Sequence, residues 1–350
     1  MALGENILSQ RQYAISFEDV FNIPNMTASV KDCYKGVNWK TSTINYKSTE
    51  TQNVAVLLRE LLNGSYKSKP FVKSVKTERG KSRNISALHI RDRHVQKCYC
   101  NYFLVPLLTK RLIYDNGACM KGKGCTFAVN RLKAHLQQYY RKNNFSNSGY
   151  VLTFDFSKFF ESINHKLLLE RVGKVVEKEN ADHRLFEMYG YFVNAFEGDK
   201  GLGLGSQISQ ISALFFANEI DHYIKERAKM KYYARYMDDG YVISNSKEEL
   251  QTLKKQIISL ADEIGLKVNV KKTRIWNLQK GFMLLNRHWY LKNTGYVKLK
   301  PSHTTLLRMR KRYRKIIVMR NKDAVDRFVG STNGFIKQFK NGRLKSYVYN

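Results

Sequence analysis

Three acidic residues carry the clearest chemistry in this sequence. Asp238 and Asp239 stand side by side in Tyr236-Met237-Asp238-Asp239-Gly240, between the β-prone runs Tyr232-Tyr233-Ala234-Arg235 and Tyr241-Val242-Ile243. Asp and Gly between two such runs mark a tight hairpin turn. Adjacent carboxylates repel, so the pair either needs a cation or is ordinary solvated turn chemistry. Asp155 closes the apolar run Tyr150-Val151-Leu152-Thr153-Phe154. An acid where a buried strand meets its loop is costly unless paired or metal-bound; the plain alternative is a turn or N-cap aspartate. The two sites lie about eighty residues apart in the chain. On neighbouring strands they converge. Three carboxylates can then hold two Mg²⁺ ions about 3.5–4 Å apart, one activating an attacking hydroxyl and one steadying a phosphate leaving group.

The elements that must position these residues read as follows. A strand over 150–156 opens the central block. Helical patterns follow at 165–178 and 183–196. The glycine-rich segment Lys200-Gly201-Leu202-Gly203-Leu204-Gly205-Ser206 leads into an apolar helix expected over 207–230. A hairpin over 232–243, a helix over 247–264 and a strand over 267–270 complete the block. Strand–helix–helix–hairpin–helix–strand fits an α+β fold, an antiparallel sheet backed by helices. Upstream, an apolar pattern predicts a helix over 53–62, alternation around a Gly-containing turn predicts a basic β-hairpin over 65–93, and helices are expected at 92–113 and 126–141. Residues 1–50 show no clear period. Near the C-terminus, apolar residues at 306, 309, 313 and 316–317 form a helical stripe, and the opposite face is nearly all Arg and Lys.

Composition narrows the partners. The 350 residues include 61 Lys plus Arg against 29 Asp plus Glu, a formal charge of +32. A fold this basic repels itself unless a polyanion neutralises it, which favours nucleic acid over a solvated surface. Hydrophobic residues at 43 % suffice for a core. No run approaches the roughly 20 apolar residues of a membrane span, and no basic-then-apolar leader opens the sequence. A cytoplasmic protein without a membrane partner is expected. The five cysteines, at 33, 98, 100, 119 and 125, do not match a zinc module and read as reduced thiols.

Taken together, the motifs resemble those of reverse transcriptases. Phe154-Asp155-Phe156-Ser157-Lys158-Phe159-Phe160 resembles their first palm motif. Tyr236-Met237-Asp238-Asp239 resembles their Y-x-D-D box. Gly201 to Gln210 resembles their second motif and Gly265 to Thr273 their fourth. Gly80-Lys81-Ser82-Arg83-Asn84-Ile85 and Ile90-Arg91-Asp92-Arg93 resemble fingers segments. The motifs occur in family order over about 65–295.

The resemblance implies a right-hand polymerase fold. Residues 1–149 would form the N-terminal region and fingers, 150–295 the palm with fingers-associated helices at about 165–200, and 296–350 a basic helical thumb. It implies Asp155, Asp238 and Asp239 as catalytic metal ligands, joined by the Phe156 backbone, for two Mg²⁺ ions with Mn²⁺ as a substitute. Phe160 would be the steric gate that selects dNTPs, unless it is core packing and Phe159 takes that part. Lys81 and Arg83 would clamp the triphosphate. Leu204, Gly205 and Gln210 would lie at the incoming nucleotide. Lys272, with Lys271 beside it, would donate a proton to pyrophosphate. Arg308, Arg310, Lys311, Arg312, Arg314 and Lys315 would grip the duplex phosphates. Apart from the resemblance, the glycines of Lys121-Gly122-Lys123-Gly124 let the backbone approach phosphates, so Lys121 and Lys123 are expected at single-stranded template.

The second motif reads L-G-x-x-x-S-Q rather than Q-G-x-x-x-S-P, a form that resembles diversity-generating retroelement and related bacterial defence-associated enzymes. Leu204 in place of Gln removes a polar contact, so lowered fidelity is expected. Implied partners are a structured RNA template encoded nearby, the cDNA product, dNTPs, and an accessory protein or second copy of the chain. No RNase H or endonuclease domain is expected beyond the thumb. An RNA-dependent RNA polymerase shares this palm chemistry, and a non-catalytic RNA-binding scaffold is the reading from another class; Phe160 argues against the first and the intact triad against the second.

Overall fold

A computed structural model describes residues 13–78, 81–339 and 343–350. The chain divides into two compact units. The first comprises 1–114, 157–222 and 260–267, and the second 115–156, 223–259 and 268–350.

The first unit is mainly helical, and its N-terminal part departs from the aperiodic reading of residues 1–50. Helices span Phe17–Val20, Ile23–Tyr34 and Thr41–Ser48. Their starts are local chemistry. Ser16 and Asp19 form a capping box, and Asn22 caps the next helix with a proline in its first turn. The Ile23–Tyr34 helix is tied to the Ile90–Tyr99 helix by a 2.8 Å hydrogen bond between His94 Nε2 and the Met26 carbonyl. The expected hairpin is present as β1 (Val72–Glu78) and β2 (Lys81–Ala87), antiparallel with Val72 opposite Ala87. The helix expected over 92–113 continues from Tyr99 through a π-helical turn, Cys100–Leu104, into Val105–Thr109. Pro106 lacks the N–H that would close a regular turn there. The apolar helix expected over 207–230 is divided into Gln207–Phe216, Asn218–His222 and a π-helical turn at Tyr223–Arg227.

The second unit holds the central sheet. Its strands are β3 (Tyr150–Ser157), β4 (Tyr232–Tyr236), β5 (Asp239–Ser244), β6 (Lys267–Val268) and β7 (Arg274–Asn277), in the order β4-β5-β3-β6 with β7 also on β3. β3 is central, and Val151 through Phe156 are all buried, which explains its continuous apolar run. A second sheet has β9 (Arg287–Leu291) between β8 (Phe282–Leu284) and β10 (Val297–Pro301). The Cys125–Lys142 helix lays Val129, Leu132, Leu136 and Tyr139 onto a core of Val151, Tyr241, Ile243, Phe282, Trp289 and Leu291, joining both sheets. Three helices, His303–Val318, Lys322–Lys337 and Arg343–Tyr349, close the chain around Leu306, Phe328, Ile336 and Val348. The stripe read at 306, 309, 313 and 316 faces this core, whereas Ile317 is exposed. Among the described residues no helix is long and apolar enough to cross a membrane.

Candidate active site

The hairpin between β4 and β5 is tighter and earlier than Asp-Gly suggests. Tyr236 pairs with Asp239, so the turn residues are Met237 and Asp238. Met237 takes a left-handed φ of 54°. Asp239 and Gly240 already belong to β5. Gly240 is needed for a different reason than a turn: a Cβ there would collide with the Phe154 ring on β3.

This register sets Asp155 directly opposite Asp239. The ladder runs one step further, where the Phe156 N–H donates to the Asp238 carbonyl at 3.2 Å. Like charges facing each other across a strand pair are destabilising without a cation. One cation is present: Lys272 Nζ lies 2.6 Å from Asp155 Oδ2. The turn that carries Lys272 is held to the same strand, because the Asn269 N–H donates to the Asp155 carbonyl at 2.7 Å and the Asn269 carbonyl accepts from Lys272 and Thr273. Three aspartates and one lysine leave a formal −2, which one divalent cation would neutralise.

The electrostatics agree. Burial first, and then the Asp238 and Asp155 charges, push the Asp239 carboxyl up to about 7, with Lys272 opposing. Burial works against the Lys272 ammonium, but its hydrogen bond and charge contact with Asp155 hold its pKa above the ordinary lysine value. The donors are hard carboxylate oxygens beside the Phe156 main chain, a set that suits Mg²⁺ or Mn²⁺ rather than a soft metal. The convergence is incomplete: among the described residues no three His, Cys, Asp or Glu side chains already form a ligand cluster. Asp155 and Asp239 face one another, and Asp238 sits at the turn beside them.

The nucleotide-binding candidates belong to the first unit. Leu204 bridges to Ile85 of β2, so the second motif lies against the β1–β2 hairpin. Gly205 follows with φ +113°, a conformation that requires glycine. Ser206 then caps the Gln207–Phe216 helix and donates to Gln96 at 2.9 Å. Gln210 is half-buried on that helix. Phe159 is buried while Phe160, stacked edge-on against it at 5.8 Å, is the more exposed ring. Lys81 and Arg83 fall on β2, but their side chains lie outside the described residues.

In the second unit Lys121 is exposed and Lys123 lies 5.1 Å over the Phe127 ring. On the His303–Val318 helix, Arg308, Lys311, Arg312, Arg314 and Lys315 are exposed. Arg310 instead packs its guanidinium 5.3 Å from the Tyr347 ring. Sequence reasoning missed Arg235, a charged residue inside the β-prone run before the box, which is 1 % exposed. It also missed the cluster in which the half-buried Arg131 and Lys225 meet the buried Asp115 and His135.

A family model described as reverse transcriptase (RNA-dependent DNA polymerase) matches residues 67–301. Among curated proteins, the Protein YkfC of Escherichia coli is 21 % identical over 71 % of this chain and 74 % of its own length. A putative COX1/OXI3 intron 1 protein of Saccharomyces cerevisiae is 22 % identical over 82 % of this chain and 40 % of its own. Among solved structures, an apo telomerase from Candida tropicalis superposes with a TM-score of 0.51 at 16 % identity, over 66 % of this chain and 55 % of that one. A Candida albicans telomerase solved with a fragment of telomeric RNA gives 0.51 at 11 % identity, over 71 % and 51 %. The chain thus spans about half the length of these telomerases. At such identities the likeness shows the fold, which is that of a polymerase.

Proposed function

This chain belongs to the reverse transcriptase (RNA-dependent DNA polymerase) family, and from that premise we propose that it copies an RNA template into cDNA by two-metal nucleotidyl transfer. The observation that carries the reading is the in-register Asp155–Asp239 pair with Asp238 at the turn and Lys272 on Asp155. Asp155, Asp238, Asp239 and the Phe156 main chain would hold two divalent ions, Mg²⁺ or Mn²⁺. Bound there, they supply the Lewis acidity that activates a primer 3′-hydroxyl and offsets charge on departing pyrophosphate. Lys272 holds a proton within reach of that leaving group. Phe160 excludes a ribose 2′-OH. Leu204, Gly205 and Gln210 seat the incoming dNTP, and Lys81 and Arg83 hold its triphosphate. The exposed cations of the His303–Val318 helix, with Lys121 and Lys123, hold template and product through their phosphates, so binding weakens steeply with salt. In this reading 1–149 are N-terminal region and fingers, 150–295 palm and 296–350 thumb.

The L-G-x-x-x-S-Q form of the second motif supports a bacterial retroelement or antiphage-defence setting with a structured non-coding RNA as template. A diversity-generating element with an accessory protein is the second form of that reading. Primer extension on RNA, with dNTPs or rNTPs, tests the activity. The wild type should extend with dNTPs, and Asp155→Asn and Asp238→Asn should abolish extension. Full DNA synthesis by Asp238→Asn sinks the site assignment. Preference for rNTPs would favour an RNA polymerase instead. Sequencing the cDNA made in cells would identify the template.

A further inference from the structure

β4 carries an arginine where the sheet is closed to water. Arg235 is 1 % exposed, between the buried Ala234 and the first residue of the box, Tyr236. A guanidinium in such a place is costly unless its donors are used. One use is explicit: Arg235 Nη1 donates to the Met237 carbonyl at 2.8 Å.

The anchor of that arginine lies outside the turn it holds. The Arg235 N–H donates to the Asp115 carbonyl at 3.2 Å, and the Arg235 carbonyl accepts from the Gly117 N–H at 2.9 Å. So the 115–117 segment fixes the Arg235 backbone from the edge of the sheet, and the side chain reaches forward over two residues.

What it grips is the central peptide of the hairpin turn. Met237 and Asp238 are the two central residues of the turn, so the peptide joining them lies beyond the last β4–β5 pair, Tyr236 with Asp239. The orientation of that central peptide is what distinguishes one turn type from another. Met237 holds a left-handed φ of 54°, which is unfavourable for a residue with a Cβ. Left alone, the peptide could rotate. Reorientation changes ψ at Met237 and φ at Asp238, and wherever the two changes do not cancel they redirect the Asp238 Cα–Cβ bond, next to the Asp238 carbonyl that accepts from the Phe156 N–H.

We propose that Arg235 is a positioning residue: by holding the Met237 carbonyl it locks the central peptide of the Tyr236–Asp239 turn and sets the direction of the Asp238 carboxylate. Its consequence for catalysis rests on the polymerase reading above; its consequence for the turn does not. A planar guanidinium suits the task better than an ammonium, because one donor can hold the carbonyl while the others stay engaged in the buried site.

The test uses the full chain with Arg235→Met, Arg235→Lys, Met237→Gly and the Arg235→Met/Met237→Gly double variant. Glycine adopts the left-handed conformation without a steric penalty, so it should relieve the need for the lock. Amide hydrogen exchange on metal-free protein over 232–244 should be at least ~10-fold faster in Arg235→Met, equivalent to about 1.4 kcal/mol, with protection elsewhere retained. The kcat for primer extension should fall by a similar factor, while KM for dNTP changes little. Arg235→Lys should fall between Arg235→Met and the wild type. The double variant should recover most of the kcat of Met237→Gly alone. Unchanged exchange over the turn in a folded Arg235→Met overturns the proposal. So does a double variant no better than Arg235→Met, or global loss of protection in both, which would make Arg235 a general requirement of the core. If the wild type makes no DNA, the polymerase reading fails while the exchange comparison still decides on the lock.

Discussion

Gly240→Ala is the most direct test of how the site is built. Gly240 follows Asp239 on β5 and packs face-on against Phe154 of β3. An added Cβ would fall 2.5 Å from Phe154 Cε1 and 2.7 Å from Cε2, with Cζ nearer still. The ring has little room to retreat. Phe154 is 1 % exposed, with its centroid 5.7 Å from Phe156 and 6.3 Å from Tyr233. Overpacking of this kind costs about 1–3 kcal/mol. The strain lies between the strands that carry Asp155 and Asp239, so it should separate the two carboxylates as well as destabilise the sheet. Chemical denaturation should report a loss in that range, and DNA synthesis should fall by more than the unfolded fraction explains. Phe154→Leu in the same chain should return part of both. If Gly240→Ala is as stable and as active as the wild type, the close approach of the two strands is not what places the acids.

Lys272→Met should strengthen divalent-ion binding while lowering turnover. The Lys272 side chain is 56 % exposed, so solvent screening limits its contact with Asp155 to under about 1 kcal/mol, a few-fold in affinity. Calorimetric titration of Mn²⁺ into both proteins checks this, and weaker binding in the variant contradicts it. A pH prediction follows from His135, which is 1 % exposed and hydrogen-bonded through Nδ1 to the Tyr241 hydroxyl at 2.9 Å. Burial pushes its pKa down to about 4, with Asp115 opposing. The unfolded chain binds this proton near pH 6.5 and the folded chain does not until about 4, so stability present above 6.5 is lost as pH falls between those values. The loss is at most about 3 kcal/mol; denaturation of wild type and His135→Gln from pH 7.5 to 4.5 should show a flatter pH dependence in the variant, and equal slopes refute it. Leu204→Gln should raise fidelity in single-nucleotide misincorporation assays, and an unchanged error rate discards the role given to Leu204.

The parts of this chain that were legible in advance are those where chemistry and periodicity coincide. β3 was readable because it is buried on both faces and ends in an acid that an apolar strand would not otherwise carry. The hairpin of the box was readable too, but its turn was placed late. Gly240 looks like a turn residue in sequence, whereas it serves the Phe154 ring, and the true turn uses Met237, a residue with no turn signature. The same disguise hid β8 and β9. Their connecting residues are Leu285 and Asn286, both at positive φ, and a leucine there announces nothing. Two of the three helices of residues 17–48 have eight residues or fewer, and the Ile23–Tyr34 helix buries Ser29 among its apolar residues, yet the caps at Ser16 and Asn22 were written in the sequence.

Arg235 is the informative miss. A charge within a strand that pattern alone calls buried is a local contradiction, and such contradictions tend to fall at functional sites. Here the structure resolves it by turning the guanidinium along the strand onto the Met237 carbonyl. The acids of the box were found because carboxylates advertise metal chemistry. What holds them in place is less visible from sequence, since a glycine required by a ring and an arginine spent on a carbonyl reveal their purpose only once β3, β4 and β5 are set in register.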